Sequence, residues 1–161
     1  MGWLFTKRRM ASELGADWLQ KFKQFDREAI SAASLGQVHQ AFGLGSQKLA
    51  VKLQYPDMQS AIEADLRQLK LLFQIYERYD SAISTSDIYD ELSERLYEEL
   101  DYCREAQNMR LYKYMLAKES CVIVPEHQPD LSTKRLLTMS WLEGTRLMPF
   151  LETNPDQKTR N

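Results

Sequence analysis

Ala32-Ala33-Ser34-Leu35-Gly36-Gln37-Val38-His39-Gln40-Ala41, followed by Leu49-Ala50-Val51-Lys52-Leu53-Gln54, is the stretch around which the rest of the chain arranges itself. Small residues lead into an alternating segment, a glycine-containing turn follows, and a second alternating segment carries one lysine among apolar neighbours. Read as a strand, that second segment turns Leu49, Val51 and Leu53 to one face and Ala50, Lys52 and Gln54 to the other. A lysine so placed looks across a sheet surface. Small-residue turns let backbone N–H groups approach a ligand closely, and a lysine beyond such a turn can neutralise phosphate oxygens.

Composition narrows the classes. The chain has 161 residues, 43% hydrophobic and 27% charged, with a formal net charge of −2. Those are the proportions of a soluble globular domain. The balance gives no electrostatic footprint for nucleic acid, and Lys7-Arg8-Arg9 reads as a solvated helix face. No stretch approaches the roughly 18 apolar residues of a membrane span, and no secretory signal is present. Cys103 and Cys121 form neither a disulfide framework nor a metal spacing, so a reducing compartment is expected, cytoplasmic or peripheral to a membrane. His39 and His127 have no ligand companions and read as structural.

Along the chain, residues 4–14 read as a short helix, with Thr6 as N-cap and Gly15 as stop. A second short helix is expected over 17–25, where Trp18, Leu19, Phe22 and Phe25 form one packed face. Strands follow at 29–33, 37–42 and 48–54, with Gly43-Leu44-Gly45-Ser46 as the turn between the last two. Pro56 suits the first turn of a helix running to residue 79, its stripe made of Met58, Ile62, Leu66, Leu69, Phe73 and Tyr76. After a polar break at 80–86, a second long helix is expected over 87–118, roughly 32 residues and about 48 Å. A strand at 121–124, a turn at 125–132, a strand at 135–141 and a helix opening at 148–151 complete the reading.

On that second long helix, Ile88, Leu92, Leu96, Leu100 and Cys103 fall within one arc, the expected buried face. Asp101, Glu105 and Asn108 group on another arc. Glu99 falls in the apolar stripe, where a carboxylate must be paired or neutralised. Lys52 has the converse need, since a half-buried ammonium without a carboxylate loses its charge to desolvation. Glu99, Asp101 and Glu105 are its candidate partners.

Ser31-Ala32-Ala33-Ser34-Leu35-Gly36-Gln37-Val38-His39, Ala50-Val51-Lys52, and Glu99-Leu100-Asp101-Tyr102 with Glu105-Ala106 and Asn108 together closely resemble the UbiB family of atypical protein-kinase-like proteins. The motifs stand in family order. The resemblance implies an α+β kinase-like N-lobe: a small antiparallel sheet, two long helices and short N-terminal helices, with the C-lobe missing. Residues 1–28 are then an N-terminal helical extension, 29–147 the lobe with a helical insertion, and 148–161 the start of a C-lobe.

It also implies a site. Ala32, Ala33, Ser34, Leu35, Gly36, Gln37 and Val38 would cover nucleotide phosphates, alanine standing where kinases have glycine. Ala50 and Lys52 would lie beneath them, with Glu105 pairing Lys52 as in a kinase N-lobe. Ser140, Trp141 and Leu142 would form the hinge that meets adenine, although family members often carry an acid at the position of Ser140. Glu99 and Asp101 would face the lysine of an N-terminal Lys-x-Gly-Gln segment that this sequence lacks.

The cofactors implied are ATP and Mg²⁺, and the whole-protein role is support of ubiquinone biosynthesis. Partners would be nucleotide and, through other parts of the family fold, a membrane surface or quinone-biosynthesis proteins. Residues 145–161 hold no His-x-Asp catalytic loop and no Asp-Phe-Gly motif, so the magnesium ligands are expected elsewhere. An N-lobe alone would leave apolar residues near Trp141, Leu147 and Phe150 uncovered and prone to self-association. A helical interaction module without catalysis, and a truncated product without activity of its own, are the alternative readings.

Overall fold

The computed structural model describes residues 2–32, 35–78 and 85–157. A four-stranded antiparallel sheet organises them, in the order β1 (Phe22–Ala32), β2 (Gly36–Gly43), β3 (Lys48–Gln54) and β4 (Leu136–Ser140). Helix α1 (Trp3–Leu14) and a 3-10 turn (Trp18–Lys21) precede the sheet. Helices α2 (Met58–Glu77), α3 (Thr85–Glu99) and α4 (Tyr102–Met115) lie between β3 and β4, and a short α5 (Leu147–Glu152) follows.

Side-chain alternation divides the sheet. Gln37, His39 and Ala41 on β2, Leu49, Val51 and Leu53 on β3, and Leu136 and Thr138 on β4 are all fully buried on one face. Met10 and Trp18 close over that face, with Trp3, Ala11, Leu14 and Phe25 packed at its edge. Trp18 and Phe25 meet edge to face at 5.0 Å, and Phe22 and Phe25 at 5.5 Å. The other face carries Leu137 and Met139, covered by Tyr102, Ala106 and Met109 of α4. A third cluster joins Ile62 and Leu66 of α2 to Leu100, with Leu35, Met58, Tyr89 and Leu96 around it.

Several expectations from the sequence change here. The helix expected over 17–25 is a single 3-10 turn running straight into β1. A register shift between Phe22 and Gln24 turns both Phe22 and Phe25 to the core, and Leu19 is left exposed. A bulge adds one residue to a period of two, so the i, i+3 spacing of the two rings imitates a helix. The same strand runs unbroken past residues 28 and 29. Thr6 is not the cap of α1; Gly2 is, and Thr6 lies buried in the first turns. Gly15 does end the helix, at φ 93°, where glycine alone is unstrained.

Pro56 stands ahead of α2, whose N-cap is Asp57 in a left-handed conformation at φ 58°. The helix expected over 87–118 is two helices broken at Leu100-Asp101. Asp101 takes an extended backbone, and its Oδ1 accepts from the N–H groups of Cys103 (3.0 Å) and Arg104 (3.3 Å). Gln54 Nε2 donates to the Leu100 carbonyl at 3.0 Å, and the Tyr102 N–H donates to the Lys134 carbonyl at 3.0 Å. Gln54 of β3 and Lys134, just ahead of β4, therefore take hydrogen bonds the helix would have used. That break resets the helical phase. Leu100 stays buried, but Ile88 and Leu92 are exposed, as are Cys103 and Glu99.

Residues 121–124 form no strand, and Ile123 is 72% exposed. The outer edge of β4 is met slightly later: Ser140 N–H donates to the Glu126 carbonyl (2.8 Å) and Gln128 N–H to the Thr138 carbonyl (2.9 Å). The polar break expected at 80–86 falls mostly outside the described residues.

Candidate nucleotide site

Lys52 sits in mid-β3, opposite Val38 on β2 and Leu137 on β4. Its Nζ donates to Oε1 and Oε2 of Glu105 at 3.0 and 2.8 Å. The pair is partly open, the side chains 27% and 37% exposed. Beneath it the Tyr102 ring lies 4.7 Å from the ammonium. Burial pushes the Tyr102 phenol well above its ordinary range, with Glu105 and then Glu99 adding to the effect. A neutral phenol, a carboxylate and an ammonium are thus stacked on one face of the sheet. The lysine is held by one carboxylate and reachable from solvent, as capture of a phosphate oxygen requires.

Glu105 owes its place to Asp101, because the cap starts α4 at Tyr102 and puts Glu105 one turn in. Asp101 does not join Glu105 on a helix face; it is the capping residue, with Lys134 at 3.9 Å. Glu99 ends α3 and is exposed. With Arg95, Glu98, Arg104, Glu105 and Asn108 it lines an open depression of about 270 Å³. Glu98, not Glu99, makes the ion pairs there, to Arg95 and Arg104.

Ala33 and Ser34 lie outside the described residues. Ala32 is exposed at the end of β1 and pairs with Gln37. Leu35 packs on the Ile62–Leu66–Leu100 cluster, and its carbonyl accepts from the Tyr55 N–H at 3.0 Å. Gly36 is required by proximity: a Cβ there would lie 2.5 Å from the Leu53 carbonyl oxygen and 3.2 Å from the Tyr102 hydroxyl. Gln37 points away from Lys52, into the α1 side. Val38, Gln40, Ala50 and Lys52 share the half-buried face. Ala50 is flanked there by Met139 of β4.

At the far end of β3, the Trp141 N–H donates to the Lys48 carbonyl at 3.0 Å, and Lys48 Nζ sits 4.5 Å above the Trp141 ring. Lys48 also pairs with Glu143, whose carboxyl this hydrogen bond holds below its usual range. Ser140 Oγ accepts from the Glu126 N–H at 2.8 Å, so its hydroxyl is engaged in the edge of β4. Leu142 is exposed.

Sequence reasoning missed Tyr102 as the ring under Lys52, Lys48 as the partner of Trp141 and Glu143, and the polar contacts of Gln37. The aromatic in Asp101-Tyr102 was the only available signal for the first. Among the described residues there is no group of three or more His, Cys, Asp or Glu able to hold a metal, so magnesium coordination is assigned to no residue here. His127 bridges to Met139 through backbone, and burial, then Arg110, lowers its pKa.

Residues 3–161 match the ABC1 atypical kinase-like domain. The chain belongs to that family. This is the UbiB-type family to which its motifs point. The ABC1 relatives include the mitochondrial atypical kinase COQ8 of Saccharomyces cerevisiae, 34% identical over 152 residues, covering 94% of this chain and 30% of the relative. A chloroplastic Activity of BC1 Complex Kinase 7 protein of Arabidopsis thaliana is 35% identical over 145 residues, covering 88% of this chain and 21% of that protein. The chain therefore spans less than a third of these curated relatives. Among solved structures, the Rv3197–erythromycin complex from Mycobacterium tuberculosis superposes with a TM-score of 0.85 at 26% identity, covering 98% of this chain and 40% of that one. The sheet and helices described above are thus a kinase-like fold, seen over part of its length.

Proposed function

We propose that this chain is the nucleotide-binding half of a UbiB-type atypical kinase or ATPase that supports ubiquinone biosynthesis, taking ATP phosphates between residues 32–38 and Lys52. The observation that carries the reading is the bidentate Lys52–Glu105 pair on the open face of the sheet. A lysine fixed by one carboxylate presents its remaining N–H to an incoming anion without giving up its charge. Val38, Ala50 and Met139 give a half-buried apolar floor, and backbone at Ser140, Trp141 and Leu142 forms the hinge for adenine. Mg²⁺ would supply charge neutralisation at the β- and γ-phosphates when bound; the chain's own contribution is binding and orientation. A reducing location, cytoplasmic or peripheral to a membrane, fits the two exposed free cysteines, and among the described residues no helix is long and apolar enough to cross a membrane.

The test is a titration of the purified chain with MgATP, comparing wild type with Lys52→Ala and Glu105→Gln. Weak binding that Lys52→Ala abolishes and Glu105→Gln weakens supports the site. Equal binding by all three sinks it. A second reading, a helical interaction module, is favoured by the exposure of Leu111, Tyr112, Tyr114 and Met115 on α4, and would predict self-association or partner capture with no nucleotide effect.

A further inference from the structure

The sealed face of the sheet holds a chain of buried polar side chains running from β2 to α1. His39 Nδ1 lies 2.9 Å from the Asp26 carbonyl, which can only accept, so Nδ1 carries the proton and donates. His39 Nε2 is then an acceptor, and Gln37 Nε2 donates to it at 2.6 Å. The second N–H of the same amide donates to Thr6 Oγ1 at 3.0 Å. The Thr6 hydroxyl in turn faces the Gly2 carbonyl at 3.4 Å. Thr6, Gln37 and His39 are all fully buried, and the Phe25 ring covers the imidazole at 5.1 Å. Every donor and acceptor role in this run is assigned, and it ties α1 to β2 and β1.

Gln37 is the second residue of β2, paired with Ala32 on β1 and Leu53 on β3. It therefore stands at the start of β2, while its neighbour Val38 faces Lys52 on the other side. From this placement we propose that Thr6, Gln37 and His39 are positioning residues, a latch through which the docking of α1 sets residues 36–38, the start of β2, against Lys52. The proposal rests on the nucleotide site proposed above and adds its regulation. Buried polar groups are tolerated only when all their bonds are made. Withdrawing Thr6 leaves the Gln37 amide short of a partner in a dry core, and β2 relieves this by shifting at its N-terminal end, residues 36–38. The β3–β4 pair, anchored by Leu49, Val51, Leu53 and Leu136, has no such freedom.

Backbone amide exchange of the purified chain at pH 7.5 tests the latch directly. Losing one buried hydrogen bond predicts about tenfold faster exchange over residues 36–38 in Thr6→Val and in Gln37→Met. Residues 49–53 and 136–140 should keep wild-type rates, and Thr6→Ser, which retains the hydroxyl, should match wild type throughout. MgATP affinity should fall in the first two variants and hold in Thr6→Ser. Unchanged exchange at 36–38, or equal acceleration across all four strands, overturns the latch. Nucleotide binding unaffected by Lys52→Ala would instead overturn the site, with the exchange data still deciding the latch.

Discussion

The two faces of one sheet are built to opposite specifications. On the α1 face, alternate residues of β2 and β3 from Gln37 to Leu53 are fully buried, and four aromatic rings interlock above them. On the α4 face, Val38, Gln40, Ala50 and Lys52 are only half-buried, and the central contact is an ion pair open to water. Packing is thereby concentrated on one side and the ion pair left on the other. A residue's effect on folding and its effect on binding should separate according to the face it occupies.

The largest effects should come from the sealed face. Trp18→Ala empties the centre of the aromatic cluster and is expected to cost about 3–5 kcal/mol of stability, read from a denaturant melt. Lys52→Ala, on the open face, is expected to change the same melt by about 0–1 kcal/mol, because a partly exposed pair contributes little, while removing nucleotide binding. If Lys52→Ala destabilised as much as Trp18→Ala, the division between the faces would fail.

Gly36 tests the boundary between them. A methyl group there meets the Leu53 carbonyl oxygen, which belongs to the rigid centre of the sheet and cannot withdraw. Gly36→Ala should cost about 1–3 kcal/mol as overpacking. It should also displace Tyr102, and with it the floor under Lys52. A variant with wild-type stability and altered binding alone would show that the strand yields locally.

Asp101→Ala removes the α4 cap and should cost about 0.5–2 kcal/mol. It should weaken MgATP as well, since Glu105 loses its fixed place. Asp101→Asn, which still accepts a hydrogen bond, should retain most of both. Equal losses in the two variants would point to the carboxylate's charge and its approach to Lys134 instead of the cap.

Much of this was legible in the sequence. The alternation around Lys52 and the turn at Gly43–Ser46 sufficed for β2 and β3, because period-2 patterning and turn residues are local signals, and the resemblance of three motifs, Ser31–His39, Ala50–Lys52 and Glu99–Asn108, gave the family. The carboxylate facing Lys52 was narrowed to three acids by its need for charge, and the resemblance selected among them. What escaped was set by distant groups. The bulge that brings Phe22 and Phe25 together answers to Trp18 and α1. The break at Leu100-Asp101 depends on Gln54 and Lys134 taking helix hydrogen bonds, and no wheel drawn on residues 87–118 contains either. Val122 and Ile123 read as a strand by propensity, but Glu126 and Gln128 occupy the edge of β4 where they would have paired.

The subtlest predicted effect, visible only below pH 6.5, is a pH dependence on the sealed face. Burial lowers the His39 pKa from its ordinary 6.5, opposed by its bond to the Asp26 carbonyl and by the Asp26 carboxylate. The folded state therefore binds its proton less readily than the unfolded chain. Below pH 6.5 the unfolded chain gains a proton that the folded protein refuses, so unfolding becomes easier as pH falls. The stability this neutral imidazole represents is complete above pH 6.5 and is lost as pH falls toward the depressed folded value, at about 1.4 kcal/mol per pH unit within that window. Protonation also puts a hydrogen on Nε2, which then opposes the Gln37 N–H and breaks the run to Thr6. His39→Gln removes the titration while keeping an amide in the core. Thermal melts of both proteins from pH 7.5 to 5 should show the wild type losing stability faster below 6.5. The difference between the two curves cancels His127 and the surface carboxylates. Parallel curves would mean that His39 accepts its proton as readily folded as unfolded, and the α1 face would not be sealed.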